Sequence, residues 1–207
     1  MIMGPNVIIT GASSGIGKAL YDGLNQLTGY ECWGLSTNGP DLFYDVRELP
    51  DESIVRGPID LLINCAGIMP FAEDKSVMDV NFWGVWNMIE NLYPVMGWGG
   101  CIINIASVSG VTGEDDLPIY AASKAAVINL TKSLALKYAE HRVRVNAISP
   151  GFYKSNLTPE PAPQELLDRA PFNYEENPET LVPLVDAINK NRFMTGANIV
   201  VDGGLSL

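Results

Sequence analysis

The chain has 207 residues, of which 47% are hydrophobic, and a formal net charge of −11 at pH 7. This length predicts one domain over residues 1–207, and the acidic charge with scattered lysines and arginines argues against a nucleic-acid partner. The cysteines lie in apolar runs, and neither a secretion signal nor a membrane span is evident, so we expect a cytoplasmic protein without a membrane partner.

A strand, a glycine-rich turn and a helix are predicted near the start of the chain. Residues 7–10 form a short apolar run, Gly11 interrupts it, and residues 18–27 have helical spacing. Gly11, Gly15 and Gly17 allow the backbone to turn tightly and to approach a pyrophosphate at the helix N-terminus. We therefore expect a dinucleotide-binding turn; a simple glycine-rich turn is the alternative.

The second strand is predicted over residues 30–35 and is followed by Ser36, Thr37 and Asn38. An acid at this point, about 20 residues beyond the glycine turn, typically binds the ribose 2′-hydroxyl of NAD. Hydroxyl and amide groups stand there instead, which leaves room and hydrogen-bond donors for a 2′-phosphate. We therefore favour NADP(H), with NAD(H) possible. No arginine stands next to Ser36 to balance the phosphate charge, and a plain turn is the alternative.

The remaining strands are expected at residues 41–46, 59–63, 101–106, 143–148 and 197–201. A continuous apolar run such as 59–63 is typical of a strand that is buried on both faces, as in parallel sheets. Helices are predicted over residues 75–95, 120–139 and 181–189, with a short one at 164–170. This alternation indicates an α/β fold.

Polar residues interrupt two apolar stretches. Asn64 directly follows the fourth predicted strand, and residues 64–67 could be no more than the end of that strand. Asn81 lies in the middle of a helical run, where a buried amide is costly unless it is used; a capped or water-satisfied asparagine is the structural alternative.

Tyr120 and Lys124 stand one helical turn apart, so their side chains share a helix face. A lysine next to a buried tyrosine favours the phenolate, and such a phenol can exchange a proton with an alcohol or ketone. Ser107 ends the fifth strand, at the carboxyl edge where parallel sheets bind ligands. A solvent-facing Tyr–Lys pair is the alternative.

The loop over residues 108–119 carries Glu114, Asp115 and Asp116, which we interpret first as a solvated acidic tip and second as a feature that selects a cationic substrate. Residues 152–177, rich in proline and acid, are a candidate substrate lid or a mobile surface connection. His141 is expected to be solvated, which argues against a histidine base, and no Cys/His cluster indicates a metal.

Taken in order, the segments 10–17, 64–67, 120–124, 150–151 and 201–204, with Asn81 and Ser107, resemble the motif set of the short-chain dehydrogenase/reductase family. The resemblance implies a single Rossmann-type domain, with a central parallel sheet of about seven strands flanked by helices on both faces. It implies a nicotinamide cofactor and a small-molecule carbonyl or alcohol substrate. Tyr120 would be the general acid/base and Ser107 would hydrogen-bond the substrate oxygen. Lys124 would bind the nicotinamide ribose and lower the Tyr120 pKa, and Asn81 would shape a proton-relay water site.

The resemblance also implies a set of cofactor-binding residues, in which Asp45 and Val46 meet the adenine and Ser155 replaces the family's carboxamide-binding threonine. The full set is Gly11, Ser13, Ser14, Gly15, Ile16, Gly17, Ser36, Thr37, Asn38, Asp45, Val46, Asn64, Ala66, Gly67, Tyr120, Lys124, Pro150, Gly151 and Ser155. Cys65 departs from the family's usual asparagine or alanine, and the chain is short around residues 38–58 and in the lid. By analogy we expect a homodimer or homotetramer.

Two alternatives to a general carbonyl reductase or alcohol dehydrogenase stay open. One is a 3-oxoacyl-thioester reductase, which needs an acidic carrier protein to dock on this acidic chain. The other is a non-catalytic dinucleotide-binding sensor or scaffold, which the presence of both Tyr120 and Lys124 disfavours.

Overall fold

The structure is a computed structural model that describes residues 6–38, 41–48, 58–69, 74–157 and 163–207. Its strands form one parallel sheet of seven strands in the order β3-β2-β1-β4-β5-β6-β7. They are β1 Asn6–Thr10, β2 Glu31–Ser36, β3 Leu42–Phe43, β4 Ile59–Asn64, β5 Met96–Ile105, β6 Arg144–Pro150 and β7 Asn198–Val201. The chain order reverses between β1 and β4, and such a reversal opens a crevice at the carboxyl ends of the strands.

The α-helices lie on both faces of this sheet, which confirms the expected α/β architecture. They are α1 Gly15–Gln26, α2 Ser76–Met78, α3 Gly84–Leu92, α4 Ser109–Thr112, α5 Pro118–Lys137, α6 Gln164–Leu167 and α7 Val182–Lys190. A π-helical turn, Asp79–Trp83, joins α2 to α3, and 3-10 turns occur at Tyr93–Val95, Ala139–His141 and Pro178–Leu181.

Alternate residues of the central strands bury their side chains in two separate cores. Leu62 faces the core formed with α3 and α5, whereas Leu61 and Ile63 face the core formed with α1 and α7. All three side chains are fully buried, as expected for a parallel strand covered on both faces. The two cores hold the carboxyl ends of the strands in fixed positions.

A buried cation joins α7 to the sheet. Arg144, at the start of β6, is 7% exposed and donates hydrogen bonds to the carbonyl oxygens of Ile188, at 2.8 Å, and Asn189, at 2.7 Å. These carbonyls belong to the last turn of α7, where the helix dipole favours positive charge. Arg144 thereby completes the hydrogen bonding of this helix end.

The third strand is shorter than predicted. Only Leu42–Phe43 pairs with β2, and not residues 41–46. The strand ends because Asp45 begins a turn, in which its carbonyl accepts from the Glu48 amide at 3.0 Å and its carboxylate accepts from the Arg47 amide at 3.0 Å. Most of the predicted connection that follows lies outside the described residues.

Four other predicted segments also differ from the structure. The continuous helix expected over 75–95 contains the π-helical turn, within which the side chain of Asn81 bonds to the main chain of Ile68. The loop expected over 108–119 contains α4, and α5 begins two residues earlier than predicted, at Pro118. The helix expected over 164–170 ends at Leu167. Within the described part of the chain, no helix is both long and apolar enough to cross a membrane.

Candidate active site

A cleft of about 740 Å³ opens at the carboxyl ends of the strands, on the side of the β1–β4 crevice. It brings together almost all of the predicted site residues. Those that line it are Gly11, Ser13, Ser14, Gly15, Ile16, Gly17, Ser36, Thr37, Asn38, Asp45, Val46, Ala66, Gly67, Ser107, Tyr120, Lys124, Pro150, Gly151 and Ser155. Asn64 and Asn81 are the predicted residues that do not line it.

The glycine turn is closely packed against its neighbours. Gly11 has a φ of +70°, and a Cβ atom there would lie 2.8 Å from the backbone of Ala66. A Cβ on Gly17 would lie 2.2 Å from the carbonyl oxygen of Gly11. The absence of side chains therefore exposes backbone amides at the N-terminus of α1, which is the surface that a pyrophosphate requires. These residues fit a dinucleotide cofactor.

Thr10 fixes the exit of β4 beside this turn. Its Oγ1 accepts hydrogen bonds from the backbone amides of Cys65 and Ala66, each at 3.0 Å. This positioning residue was missed in the sequence, where the only signal is a hydroxyl residue directly before the first glycine. Thr10 explains how residues after β4 reach the cleft although Asn64 does not.

Asn64 is buried behind the cleft instead of binding a ligand in it. Its Nδ2 donates to Oδ1 of Asn104 at 2.9 Å, and Asn104 donates in turn to Oγ1 of Thr131 at 2.9 Å. Strand alternation directs this side chain into the core beneath α5 and not into the cleft, and a cofactor contact of Asn64 stays a prediction. Its observed contacts tie β4 to β5 and to α5.

Asn81 is fully buried next to the lysine of the predicted catalytic pair. Its Oδ1 accepts from the Ile68 amide at 2.8 Å, and its Nδ2 donates to the Ile68 carbonyl at 3.0 Å and to Ser123 Oγ at 3.1 Å. A Cβ on Gly67 would lie 3.3 Å from Asn81 Oδ1 and 3.4 Å from Lys124 Nζ. Asn81 thus holds the segment after β4 against α5, and its role in shaping a water site stays a prediction.

Tyr120 and Lys124 lie on the buried face of α5, with exposures of 8% and 5%. Burial lowers the pKa of Lys124 to about 8. Burial also raises the pKa of Tyr120, and a hydrogen bond with Ser107 partly opposes that rise. Removal of the phenol from water therefore has the largest effect on the Tyr120 pKa, and a lowering of that pKa by Lys124 stays a prediction.

Ser107 is held at the point where β5 ends. Past the end of this strand, the Ala106 amide donates to Ile148 O at 2.8 Å and the Val108 amide donates to Pro150 O at 2.9 Å. The Ser107 side chain is 8% exposed and accepts from the Ser109 amide at 3.2 Å. The continued pairing with β6 aims the hydroxyl at the cleft, beside Tyr120.

The opposite end of the cleft follows β2 and β3. Ser36 is buried and its Oγ accepts from the Asn38 amide at 3.3 Å. Nearby, Nε of Arg47 donates to both carboxylate oxygens of Asp45 at 3.0 Å, and this contact lowers the Asp45 pKa. Arg47 also lines the cleft and was missed in the sequence, because it is distant from Ser36 along the chain. A cation is therefore present at this end.

The acidic loop is only partly the solvated tip that the sequence predicts. Asp115 is exposed, but the Glu114 side chain is 17% exposed and accepts a hydrogen bond from Nη1 of Arg169 at 3.1 Å. Glu114, Asp116 and Arg169 line the cleft. Long-range pairing of this kind cannot be read from local sequence patterns.

The remaining candidate groups lie elsewhere or have structural environments. His141 is exposed and its Nδ1 lies 2.5 Å from the hydroxyl of Tyr93, away from the cleft residues. The cysteines are unpaired. In the ranges that the structure describes, no group of His, Cys, Asp and Glu side chains could hold a metal ion.

Comparison with known proteins agrees with this arrangement. The family described as enoyl-(acyl carrier protein) reductase matches residues 46–206. The 3-oxoacyl-acyl-carrier-protein reductase FabG of Thermotoga maritima is 35% identical over 236 aligned positions, which cover 96% of each chain. The chain belongs to the short-chain dehydrogenase/reductase family.

Solved structures of family members have the same fold. A short-chain dehydrogenase family protein from Francisella tularensis has a TM-score of 0.88 at 26% identity, covering 98% of this chain and 99% of its own. A 4-hydroxyisoleucine dehydrogenase complexed with NADH has a TM-score of 0.83 at 28% identity, with 98% of each chain covered. As a family member, the protein is an oxidoreductase that uses a nicotinamide cofactor and acts on small molecules.

Proposed function

We propose that this family member transfers a hydride between NADP(H) and a ketone, an aldehyde or a secondary alcohol, with Tyr120 as general acid/base. The observation that carries the proposal is the convergence of Ser107, Tyr120 and Lys124 on one cleft that also contains the glycine turn. Three chemically complementary groups from β5 and α5 meet there.

The chain's own residues would manage the charge on the substrate oxygen. Reduction of a carbonyl builds negative charge on that oxygen, and the hydroxyls of Ser107 and Tyr120, which lie within hydrogen-bond distance of each other, would donate hydrogen bonds to it. The Tyr120 phenol is protonated at neutral pH and would be the proton donor in reduction, although burial raises its pKa and makes it a weaker acid than a phenol in water. The nicotinamide cofactor, when bound, supplies or accepts the hydride.

Lys124 would stabilise the phenolate that remains after proton transfer. Its pKa of about 8 leaves it mostly protonated at neutral pH, and its Nζ lies 5.8 Å from the centre of the Tyr120 ring. A buried positive charge at this separation favours the anionic form of its neighbour more strongly than an exposed one does. In alcohol oxidation the same charge would support Tyr120 as the base.

The proposed preference for NADP(H) rests on the residues at the end of the cleft that follows β2 and β3. Ser36, Thr37 and Asn38 carry no negative charge, and Arg47 adds a cation that could approach a 2′-phosphate. NAD(H) is the alternative, and the 4-hydroxyisoleucine dehydrogenase structure shows that relative with NADH. Because Arg47 is engaged by Asp45, the phosphate must compete with that carboxylate.

The glycine turn would hold the pyrophosphate, with Asp45 and Val46 near the adenine. Ser155 approaches this turn, since its Cβ lies 3.1 Å from where a Cβ on Gly15 would be. This contact supports a position of Ser155 over the cofactor, where its proposed role is to bind the carboxamide.

The proposed substrate lid over residues 152–177 is supported by the residues of this segment that line the cleft, Pro163, Leu166, Arg169 and Glu175.

A 3-oxoacyl-thioester reductase is the second candidate, and the similarity to FabG favours it. The net charge of −11 disfavours docking of an acidic carrier protein.

We further propose a homodimer or homotetramer of one domain per chain, because Trp83 and Leu136 are exposed on the side of α3 and α5. Light scattering at micromolar concentration tests that assembly.

The test of the activity is a substrate screen with the purified protein. Ketones, aldehydes, sugars and acyl thioesters are each mixed with NADPH or NADH, and cofactor oxidation is followed by absorbance. Turnover of at least one class with NADPH is expected. Tight cofactor binding without turnover of any class would instead favour the non-catalytic sensor.

A further inference from the structure

An ion pair links the two segments that border the substrate end of the cleft. Glu114 belongs to the loop between α4 and α5, which follows Ser107, and Arg169 belongs to the segment after α6. Nη1 of Arg169 lies 3.1 Å from Oε1 of Glu114, across 55 positions of sequence. Both side chains line the same cleft as Ser107 and Tyr120.

The pair determines which charges a substrate meets. Among the described residues that line the cleft, the cationic side chains are Arg47, Lys124 and Arg169. Arg47 is paired with Asp45, and Lys124 donates to the carbonyl oxygen of Ile105 at 3.0 Å. Arg169 is therefore the cation best placed to bind a substrate carboxylate or phosphate, and Glu114 already occupies it.

We propose that Glu114 is a specificity-determining residue that neutralises Arg169 and thereby selects carbonyl substrates without an acidic group near the reacting carbon. This inference rests on the proposed reductase activity. A substrate anion has to share Arg169 with Glu114, and it then lies close to the carboxylate of Glu114, whose side chain is only 17% exposed. Uncharged or cationic substrates incur neither cost.

Other carboxylates at this end act in the same direction. Asp116 and Glu175 also line the cleft, so the carboxylates there outnumber Arg169. Charges that line a cleft with low-dielectric walls are screened less than surface charges, and they act on binding of the substrate over several ångströms. The same arrangement would disfavour a substrate with an anionic group close to its reacting carbon.

The ion pair could instead serve only to fasten the lid segment to the loop. A fastening role predicts that loss of the pair affects neutral and anionic substrates alike. A selective role predicts opposite changes for the two partners. Removal of the Glu114 charge leaves Arg169 available to a substrate anion, whereas removal of the Arg169 charge leaves the Glu114 carboxylate without its cationic partner.

The experiment compares ethyl 3-oxobutanoate with the 3-oxobutanoate anion, which share the reacting ketone and differ in charge. Values of kcat/KM with NADPH are measured for wild type, Glu114→Gln, Arg169→Gln and Asp115→Asn. Asp115 is the matched control, because it is an exposed acid next to Glu114 that does not line the cleft. If the anion is not reduced, its inhibition constant against a neutral ketone from the screen replaces kcat/KM.

The selective role predicts that wild type prefers the ester and that Glu114→Gln shifts the anion-to-ester ratio toward the anion by about tenfold. Arg169→Gln is expected to shift that ratio the other way, and Asp115→Asn to shift it by less than about twofold. Equal shifts for both substrates in Glu114→Gln, or a wild-type preference for the anion, would overturn the inference. Failure to turn over every class of carbonyl compound in the screen would instead contradict the proposed function.

Discussion

Lys124 is anchored to the strand that carries Ser107: its Nζ donates a hydrogen bond to the carbonyl oxygen of Ile105 at 3.0 Å, and it lies 5.8 Å from the centre of the Tyr120 ring. Ile105 is the last residue of β5 and stands two residues before Ser107. The lysine thus connects the helix that carries Tyr120 with the strand end that carries Ser107. Its burial fixes the distance between the groups that would act on the substrate oxygen.

The burial of Lys124 predicts a pH-dependent stability. Its pKa is lowered from 10.5 to about 8 in the folded protein, so between these values the unfolded chain binds more protons and the free energy of unfolding rises with pH. A shift of this size corresponds to about 3 kcal/mol. Lys124→Met should therefore gain stability relative to wild type at pH 7, and this gain should shrink by pH 10. Urea unfolding of both proteins at both pH values measures this gain. A difference in the free energy of unfolding that is the same at pH 7 and pH 10 would contradict a buried charge on Lys124.

Ser107→Ala should lower kcat and shift its pH dependence. Loss of one hydrogen-bond donor to a developing oxyanion costs about 10²–10³ in kcat. Because the Ser107 hydrogen bond lowers the Tyr120 pKa, its removal should move that pKa upward. In alcohol oxidation Tyr120 must be deprotonated, so the rising limb of the pH–rate profile should shift to higher pH. A rising limb at the same pH as in wild type would contradict the effect of the Ser107 hydrogen bond on the Tyr120 pKa.

The cofactor preference is tested by charge at Ser36. Wild type should have a higher kcat/KM for NADPH than for NADH, and Ser36→Asp should reverse that order, because a carboxylate repels the 2′-phosphate and accepts from ribose hydroxyls. The change in the ratio should be on the order of 100-fold. Ser36→Asn is the matched control, because asparagine is similar in size to aspartate and carries no charge. A wild-type preference for NADH would refute the NADP(H) proposal.

Sequence patterns predict the backbone of this protein well because local chemistry determines it. Apolar runs such as residues 59–63 mark strands buried on both faces, and Gly11 and Gly17 mark a turn in which a side chain would collide with backbone. The strand-end Ser107 follows from the same pattern. The ordered strands and helices then bring Ser107, Tyr120 and Lys124 to one edge of the sheet.

The remaining features depend on contacts between distant segments. The direction of the Asn64 side chain, the two hydrogen bonds of Thr10 and the pairing of Glu114 with Arg169 arise only when the chain is folded. The pKa of Tyr120 could not be predicted from its spacing to Lys124, because spacing gives the neighbour but not the extent of burial. Local patterns indicate which groups meet, and tertiary packing determines their protonation.

The most direct test of the proposed chemistry is the Tyr120→Phe variant, which removes one hydroxyl and keeps the ring. Turnover of the best substrate from the screen is measured with NADPH, and the Kd for NADPH is measured by fluorescence on the same preparation. Loss of a general acid predicts a fall in kcat of about 10²–10⁴, with a much smaller change in the cofactor Kd. Wild-type turnover by Tyr120→Phe would contradict the assignment of Tyr120 as the proton donor.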